Sequence, residues 1–253
     1  MLSVVIPTLQ KNTKVLNNLL ETLVRDNFVG EIIVIDNSLK GIDYSNPKIR
    51  VITPNENLYV NPSWNLGVKE SKYEIVALLN DDIAIPDNFC ADVADQMNPS
   101  MGIVGINSAD YMETSEDITE NPENTGPVLE KVRYMDLYFG AAMFLYKQNY
   151  YYIPEEIKIV YGDVWLVYNT RKNGKPTYRI SNQIIYHLGS LSSSEKKFNP
   201  ICANDAKIYK RLTVKWYNRL LSYDECWNCH KIRILGITLF FKKFNAKKHI
   251  NNK

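Results

Sequence analysis

The chain has 253 residues, which is enough for one large domain with an appendage or for two small domains. Apolar residues make up 45% and charged residues 23% of it, so a disordered, collagen-like or disulfide-stapled chain is excluded. Four cysteines fit a reducing compartment, and no apolar run approaches the roughly 18 residues that span a bilayer. The sequence therefore predicts a globular, cytoplasmic protein.

The overall net charge of +2 hides an uneven distribution along the chain. Residues 1–206 contain 18 Lys and Arg against 26 Asp and Glu, whereas residues 207–253 contain 12 bases against two acids, Asp224 and Glu225. An acidic body is thus followed by a basic tail with a net charge of +10. Such a tail indicates a polyanionic partner, either an anionic membrane surface or nucleic acid.

The first hundred residues alternate between strand and helix patterns. Apolar, β-branched runs predict buried strands at 2–6, 31–35, 48–53 and 74–79. Helical spacing of apolar residues predicts helices at 16–24, from Asn61 as N-cap and Pro62 to about Ser71, and from Pro86 through Met97. This order predicts a doubly wound, mainly parallel α/β sheet.

The second half of the chain is less regular. Residues 107–131 are acidic with little apolar periodicity, which predicts a long loop. Strands follow at 132–139 and 141–146, a helix at 163–171, and strands at 177–180 and 183–187. From 203 to 222 an apolar stripe runs beside a basic stripe at helical spacing, so we expect a helical, basic extension over 201–253 after a domain at 1–200.

Polar residues stand at the ends of the predicted parallel strands, where open α/β sheets bind ligands. The first strand ends at Thr8, the second at Asp36 and Asn37, and the fourth at Asp81 and Asp82. No glycine-rich phosphate loop follows the first strand, which disfavours a dinucleotide-binding fold. Two adjacent carboxylates at a strand end supply hard oxygen ligands for Mg²⁺ or Mn²⁺, and the ion then binds a diphosphate.

Six segments together resemble the family 2 glycosyltransferases, which have the GT-A fold. They are VVIPT at 4–8, EIIVIDNS at 31–38, NLYVNPSWNLG at 57–67, LLNDD at 78–82, YGDVWL at 161–166 and HLGS at 187–190. Each segment alone is a weak signal, but their order and spacing agree across residues 2–190. The resemblance implies inverting transfer of a sugar from a nucleoside diphosphate donor, with Mn²⁺ or Mg²⁺ as cofactor.

The resemblance also implies roles for particular residues. Asp36 accepts a hydrogen bond from the pyrimidine ring, with Thr8 and Asn37 in the same pocket. Asp82 is the metal ligand and His187 a further metal or phosphate contact, while Asp81 contacts ribose or metal. The residues that match the start of the helix behind the nucleotide pocket are Asn61, Asn65 and Gly67.

Asp163 matches the catalytic base of the family, which takes the proton of the acceptor hydroxyl. Many relatives have a second acid just before it, where this chain has Gly162, and Glu155 and Glu156 are the alternative bases. Leu58 stands where relatives usually have glycine, so we expect a different loop backbone there. Trp165 is interpreted as a buried aromatic, with a place beside the acceptor as the alternative.

Two further enzyme and binding hypotheses stay open. A sugar-1-phosphate nucleotidyltransferase has a similar sheet but normally carries a Gly-rich, Arg-containing loop after the first strand, which this chain lacks. A catalytically silent module that binds sugar nucleotides or polysaccharide is the other alternative. For an active enzyme, the resemblance implies a saccharide or lipid-linked saccharide acceptor in surface polysaccharide synthesis.

The basic tail favours a peripheral contact with the inner face of the cell membrane, since no nucleic-acid-binding module is recognised. The tail also contains Cys226 and Cys229 followed by His230. This CxxCH string is compatible with haem attachment or, with Cys202, with a zinc site, but the second ligand pair of a usual zinc site is lacking. We interpret the cysteines as free thiols.

Overall fold

The computed structural model describes residues 1–42, 44–114, 118, 120–132, 138–189, 198–213, 220–226, 229–235 and 237–243. Over these residues the chain forms a mixed α/β fold around one large sheet, with two smaller sheets of three strands. The predicted α/β class with a mainly parallel central sheet is confirmed.

The strands are β1 Leu2–Thr8, β2 Val29–Asp36, β3 Ile49–Ile52, β4 Ile75–Leu79, β5 Ile83–Ala84, β6 Val104–Gly105, β7 Tyr111–Glu113, β8 Val128–Val132, β9 Ala142–Tyr146, β10 Thr177–Ser181, β11 Ile185–His187, β12 Leu221–Cys226, β13 Cys229–Ile234 and β14 Ile237–Lys243. The helices are α1 Thr13–Arg25, α2 Val60–Glu70, α3 Phe89–Asp95, α4 Gly162–Lys172 and α5 Asn199–Thr213.

The eight-stranded sheet has the order β3-β2-β1-β4-β9-β6-β10-β8. Strands β3, β2, β1 and β4 are parallel, with Val4 opposite Ile32 on one side and Ala77 on the other. Strand β9 pairs antiparallel with both β4 and β6. The carboxyl ends of β1, β2 and β4 therefore meet at one edge of the sheet, as the sequence predicts.

Both faces of the sheet are covered, which explains why its strands read as continuous apolar runs. On one face α1 packs through Leu16, Leu19 and neighbouring leucines against alternate residues of β1 and β2. On the other face α2 and α4 pack against Val5, Ile33 and Ile35. Gly67 lets α2 approach β1 closely, because a Cβ there would lie 2.1 Å from a methyl carbon of Val5.

Two predictions for element boundaries differ from the structure. Helix α2 begins at Val60, so Asn61 is a buried residue within its first turn, not the N-cap. The segment predicted as one long loop contains a short 3₁₀ turn, β7 and β8, because each strand adds to the edge of an existing sheet. Of the strand predicted at 132–139, Val132 is the last residue of β8, and residues 133–137 lie outside the described part.

The prediction of a helical C-terminal extension agrees with α5 up to Thr213 and is wrong for the described residues from Leu221 to Lys243, which form strands. Strands β12, β13 and β14 form an antiparallel sheet in which Cys226 pairs with Cys229 and Ile234 with Ile237. The run KIRI at 231–234 alternates charged and apolar residues with a period of two, which is typical of a strand. Residues 214–219 and 244–253 of the predicted extension lie outside the described residues.

No helix within the described ranges is long and apolar enough to cross a membrane.

Candidate active site

A cleft of about 630 Å³ lies at the carboxyl edge of the large sheet. Six residues predicted for the site line it, namely Thr8, Asn37, Asp81, Asp82, Asp163 and His187. A volume of this size is typical of a site for a small-molecule ligand. These six predicted residues therefore share one cleft.

Asp81 and Asp82 follow β4 after Asn80, and both line the cleft. The Thr8 hydroxyl at the end of β1 donates a hydrogen bond of 2.5 Å to Oδ2 of Asp81. Burial and the neighbouring Asp82 charge raise the pKa of Asp81 to about 6, although the Thr8 hydrogen bond lowers it. A nearby cation would relieve this crowding of negative charge.

His187 reaches Asp82 through a small second sheet. Strand β11 pairs with β5 on one side and with β7 on the other, which sets His187 opposite Ile83. The His187 Nε2 atom lies 3.4 Å from Oδ1 of Asp82, and the ring of Tyr111 lies against the imidazole at 5.4 Å between centroids. Burial lowers the pKa of His187, but the nearby carboxylate of Asp82, together with the charge of Glu113, outweighs this effect and leaves the pKa raised.

These residues fit a divalent cation in part. Oδ1 of Asp82 is buried without a hydrogen-bond partner, and the imidazole of His187 faces it. Carboxylate oxygen and imidazole nitrogen suit Mn²⁺, and carboxylate oxygen suits Mg²⁺. Within the described residues no group of three or more His, Cys, Asp or Glu is arranged to hold an ion. An ion here would therefore need donor phosphate oxygens and water to complete its coordination, as Mg²⁺ commonly does.

Asp163 lies in the first turn of α4 on the wall of the cleft. Burial raises its pKa to about 6, while weaker backbone hydrogen bonds from residues 139, 140, 163 and 164 lower it. A carboxylate whose pKa lies near neutrality is suited to accept a proton during reaction. The alternative bases Glu155 and Glu156 are exposed and do not line the cleft.

Gly162 is required by the packing of the site. A Cβ at this position would lie 2.0 Å from Oδ1 of Asn61 and 3.0 Å from the ring of Trp64. Asn61 in turn donates from Nδ2 to the carbonyl of Val160 at 3.2 Å. Asn61 therefore occupies the space that any side chain at position 162 would need.

The structure does not bring Asp36 into the cleft. Its side chain is fully buried, and Oδ1 accepts hydrogen bonds from Gln10 Nε2, the Ser38 hydroxyl and the Ser38 amide. Oδ2 accepts one from the amide of Gly41 at 2.8 Å. Burial raises the pKa of Asp36, but these hydrogen bonds together outweigh it and leave the pKa lowered. Four donors fill the usual capacity of a carboxylate, so a base contact would need this loop to rearrange.

Asn37 and Asn65 make internal hydrogen bonds. Asn37 lines the cleft but donates to the Ser63 hydroxyl at 3.0 Å and accepts from the amide of Leu58 at 2.9 Å. Asn65 lies away from the cleft lining, where Oδ1 accepts from the Tyr150 hydroxyl at 2.7 Å. These side-chain amides therefore stabilise the structure behind the surface of the cleft.

The unusual backbone of the loop before α2 is at Tyr59, one residue after the predicted position. Tyr59 has φ of 66° and ψ of −173°, a combination that is nearly restricted to glycine. Its ring lines the cleft and packs edge-on against Phe198 with centroids 6.4 Å apart. Trp165 is half-buried against the core and does not line the cleft, which agrees with its interpretation as a packing residue.

Sequence reasoning missed the contribution of α5 to the site. Phe198, just before this helix, and Cys202, Ala203 and Ala206 within it form one wall of the cleft. The helix also carries Asp205, which is fully buried and accepts hydrogen bonds from the amides of Lys158, Ile159 and Val160 at 2.9, 2.7 and 3.1 Å. The sequence did contain a signal for this role, because Asp205 is an acidic residue on the apolar stripe of the predicted helix, three residues before Ile208.

Solved glycosyltransferase structures have a similar fold. Residues 1–349 of TarS from S. aureus match at 16% identity and a TM-score of 0.55, over 86% of this chain and 76% of that one. The same fragment in complex with UDP-GlcNAc matches at 17% identity and a TM-score of 0.57, over 86% and 69% of the two chains. This chain covers 41% of a longer TarS structure.

A third similar structure is the mannosyltransferase PcManGT from Pyrobaculum calidifontis in complex with GDP-Man and Mn²⁺. It matches at 11% identity and a TM-score of 0.55, over 82% of this chain and 69% of that one. No curated protein matches the chain. The family model described as Glycosyl transferase family 2 matches residues 3–168, which include β1 to β4, the acids after β4 and Asp163. The chain therefore belongs to glycosyl transferase family 2.

Proposed function

We propose that the protein is an inverting, metal-dependent glycosyltransferase that uses a UDP- or dTDP-sugar. The observation that carries this proposal is that one cleft contains both the Asp82–His187 pair and Asp163. Transfer needs a site that binds a diphosphate and a separate base for the acceptor. The cleft contains suitable residues for both.

In the proposed reaction Asp163 takes the proton of an acceptor hydroxyl. The hydroxyl oxygen forms a bond to the anomeric carbon as the bond from that carbon to the diphosphate breaks, and the electron pair leaves with the nucleoside diphosphate. Attack from the face opposite the leaving group inverts the anomeric centre. A positioned base of this kind contributes about 10²- to 10⁴-fold to the rate.

The donor diphosphate would lie at the Asp82 end of the cleft. Asp82 and His187 would hold Mn²⁺ or Mg²⁺, which neutralises charge on the leaving diphosphate when bound. Asp81, which accepts a hydrogen bond from Thr8, provides a second carboxylate beside this position, and that carboxylate would contact the ion or the ribose. The donors UDP-GlcNAc and GDP-Man in complexes of similar structures support a nucleotide-sugar donor.

For the acceptor we propose a saccharide or lipid-linked saccharide in surface polysaccharide synthesis, at the cytoplasmic face of the membrane. Apolar and aromatic residues of the cleft wall, among them Tyr138, Val164 and Phe198, offer surfaces against which a sugar ring can pack. The tail charge of +10 over residues 207–253 supports a peripheral contact with anionic lipid.

The test is donor turnover and transfer with Mn²⁺, measured as release of nucleoside diphosphate with an acceptor panel. We expect Asp82→Ala and Asp163→Asn to lose activity, while Asp95→Asn, an exposed acid on α3, keeps it. Wild-type rates in either cleft variant would contradict the assigned roles.

A catalytically silent module is the second candidate, since Gly162 replaces the acid of many relatives. Calorimetry would support it if UDP binds but no acceptor supports turnover. The packing of Gly162 against Asn61 gives a structural reason for the glycine that does not require loss of catalysis.

A further inference from the structure

Five large aliphatic side chains are exposed together at one end of the C-terminal sheet. Their exposed fractions are 46% for Leu220, 61% for Leu221, 41% for Ile234, 69% for Leu235 and 65% for Ile237. We call this group the aliphatic tip. Single exposed apolar residues are ordinary on protein surfaces, but a contiguous group of them marks an interaction site.

The strand register places these residues side by side. Leu221 pairs with Ile234, and Ile234 pairs with Ile237, so the three lie in one row across β12, β13 and β14. Residues that are directly opposite in antiparallel strands have their side chains on the same face. The amide of Leu235 donates to the carbonyl of Leu220 at 2.9 Å, which brings the last two members next to this row.

Leu235 is an unusual residue for its position in the turn between β13 and β14. Its φ of 50° lies in the left-handed region, where Asn and Gly are favoured and a bulky side chain is uncommon. Leu235 is also 69% exposed, so its side chain makes little contact with the fold. Folding therefore gains little from leucine here, which points to a role outside the fold.

The charge of the surrounding chain indicates which partner fits the aliphatic tip. Arg233 directly precedes Ile234 in β13, whereas Lys231, Lys242 and Lys243 lie toward the other end of the same sheet. Both acids of the segment are in β12 and pair with β13 at Lys231 and His230, away from the tip. Exposed aliphatic residues at one end of a strongly basic segment, with a charge of +10 over residues 207–253, suit an anionic lipid surface.

A second copy of the chain fits the tip less well. Two copies would bring together segments that each carry a charge of +10 over residues 207–253, and like charges repel. Five side chains also fall well short of the roughly 20–30 residues on each side of a standard protein interface. Lipid acyl chains accept a small apolar group without such an area requirement.

We propose that the aliphatic tip inserts into an anionic membrane and so docks the enzyme at the lipid surface. This inference rests on the membrane contact proposed above and names the residues that make it. Electrostatic attraction by the tail brings the protein to the surface, and insertion of Leu235, Ile237 and their neighbours adds an apolar contribution that salt does not screen.

The test is sedimentation with vesicles of phosphatidylcholine, with and without phosphatidylglycerol. The variants are Leu235→Asn, which suits the left-handed backbone of the turn, and the double variant Leu235→Asn/Ile237→Ser. The matched control is Val128→Ser, which removes an aliphatic side chain 48% exposed on β8. Thermal melting and donor turnover without vesicles verify that each variant is folded.

We expect the double variant to bind anionic vesicles at least about tenfold more weakly than the wild type, and the control to bind normally. If the double variant and the wild type bind anionic vesicles equally well, and salt abolishes the binding of both, insertion is rejected. Charge alone would then account for the binding. A dimeric wild type and a monomeric variant in solution would instead assign the tip to a second copy. A wild type that transfers sugar but binds no vesicle would reject the membrane contact and leave the enzyme assignment intact.

Discussion

Replacement of Asp205 by Asn tests whether α5 positions the catalytic segment. The buried carboxylate accepts three consecutive amides, from residues 158, 159 and 160. An asparagine has the same shape but only one acceptor oxygen, so its amide group must face at least one N–H donor. A buried N–H donor without a hydrogen-bond partner lowers the free energy of unfolding by about 1–3 kcal/mol, and Asp205→Ala would leave all three donors without a partner. We therefore expect a lower melting temperature, with Ala worse than Asn.

The Asp205→Asn variant should lose more activity than the unfolded fraction of the protein explains. Ile159 and Val160 of this segment line the cleft, and the segment leads into Asp163. The backbone amide of Asn61 holds it from the other side by donating to the carbonyl of Lys158 at 3.0 Å. A shift of about 1 Å in a catalytic group can cost about 10²-fold in rate. We expect kcat to fall about ten- to a hundredfold while the KM for the donor changes less.

The assay is steady-state donor turnover at a temperature where the melting curve shows the variant fully folded. Asp95→Asn serves as the control, because it makes the same chemical change on the exposed side of α3. An Asp205→Asn variant with unchanged melting temperature and unchanged kcat would refute the reasoning. A loss that affects only donor KM would also refute it, since the segment would then act on the nucleotide and not on Asp163.

Four further predictions concern the cleft. Asp163→Asn should lose about 10²- to 10⁴-fold in initial transfer rate, with UDP affinity measured by calorimetry unchanged. Because burial raises the pKa of Asp163 to about 6, wild-type kcat should fall as pH drops through about 6 and level off above it. The same carboxyl should lower the free energy of unfolding as the pH rises from 3.8, its ordinary pKa, to about 6, as measured by denaturant titration. Gly162→Ala should destabilise the fold by about 1–3 kcal/mol in the same titration, and Asn61→Ala in the same chain should recover part of it.

The central sheet and the floor of the site were predictable because their signals are local. Apolar runs such as EIIVI at 31–35 identify buried strands, and the polar residues that end them must meet at one edge of a parallel sheet. Asp81 and Asp82 were therefore placed correctly at the edge of the sheet. His187 and Asp163 required the resemblance, because no local pattern reveals that a small sheet and a helix start bring them to the same cleft.

The exceptions depend on contacts between segments far apart in the sequence. Asp36 stands where a base contact is expected, yet Gln10, 26 residues away, fills its Oδ1 together with Ser38. Asp205 acts on a segment 45 to 47 residues earlier, through backbone amides that carry no sequence signature. The C-terminal strands were misread as helical because the helical pattern of α5 was extended over a segment with a period of two.

Calorimetric titration of UDP, with and without Mn²⁺, tests the central claim most directly. We predict that Mn²⁺ strengthens UDP binding to the wild type and to Asp163→Asn, and that Asp82→Ala loses this gain. Such a result would assign the ion and the diphosphate to the Asp82–His187 end of the cleft and leave Asp163 to the acceptor. If UDP binds all three proteins equally, whether or not Mn²⁺ is present, the account is contradicted.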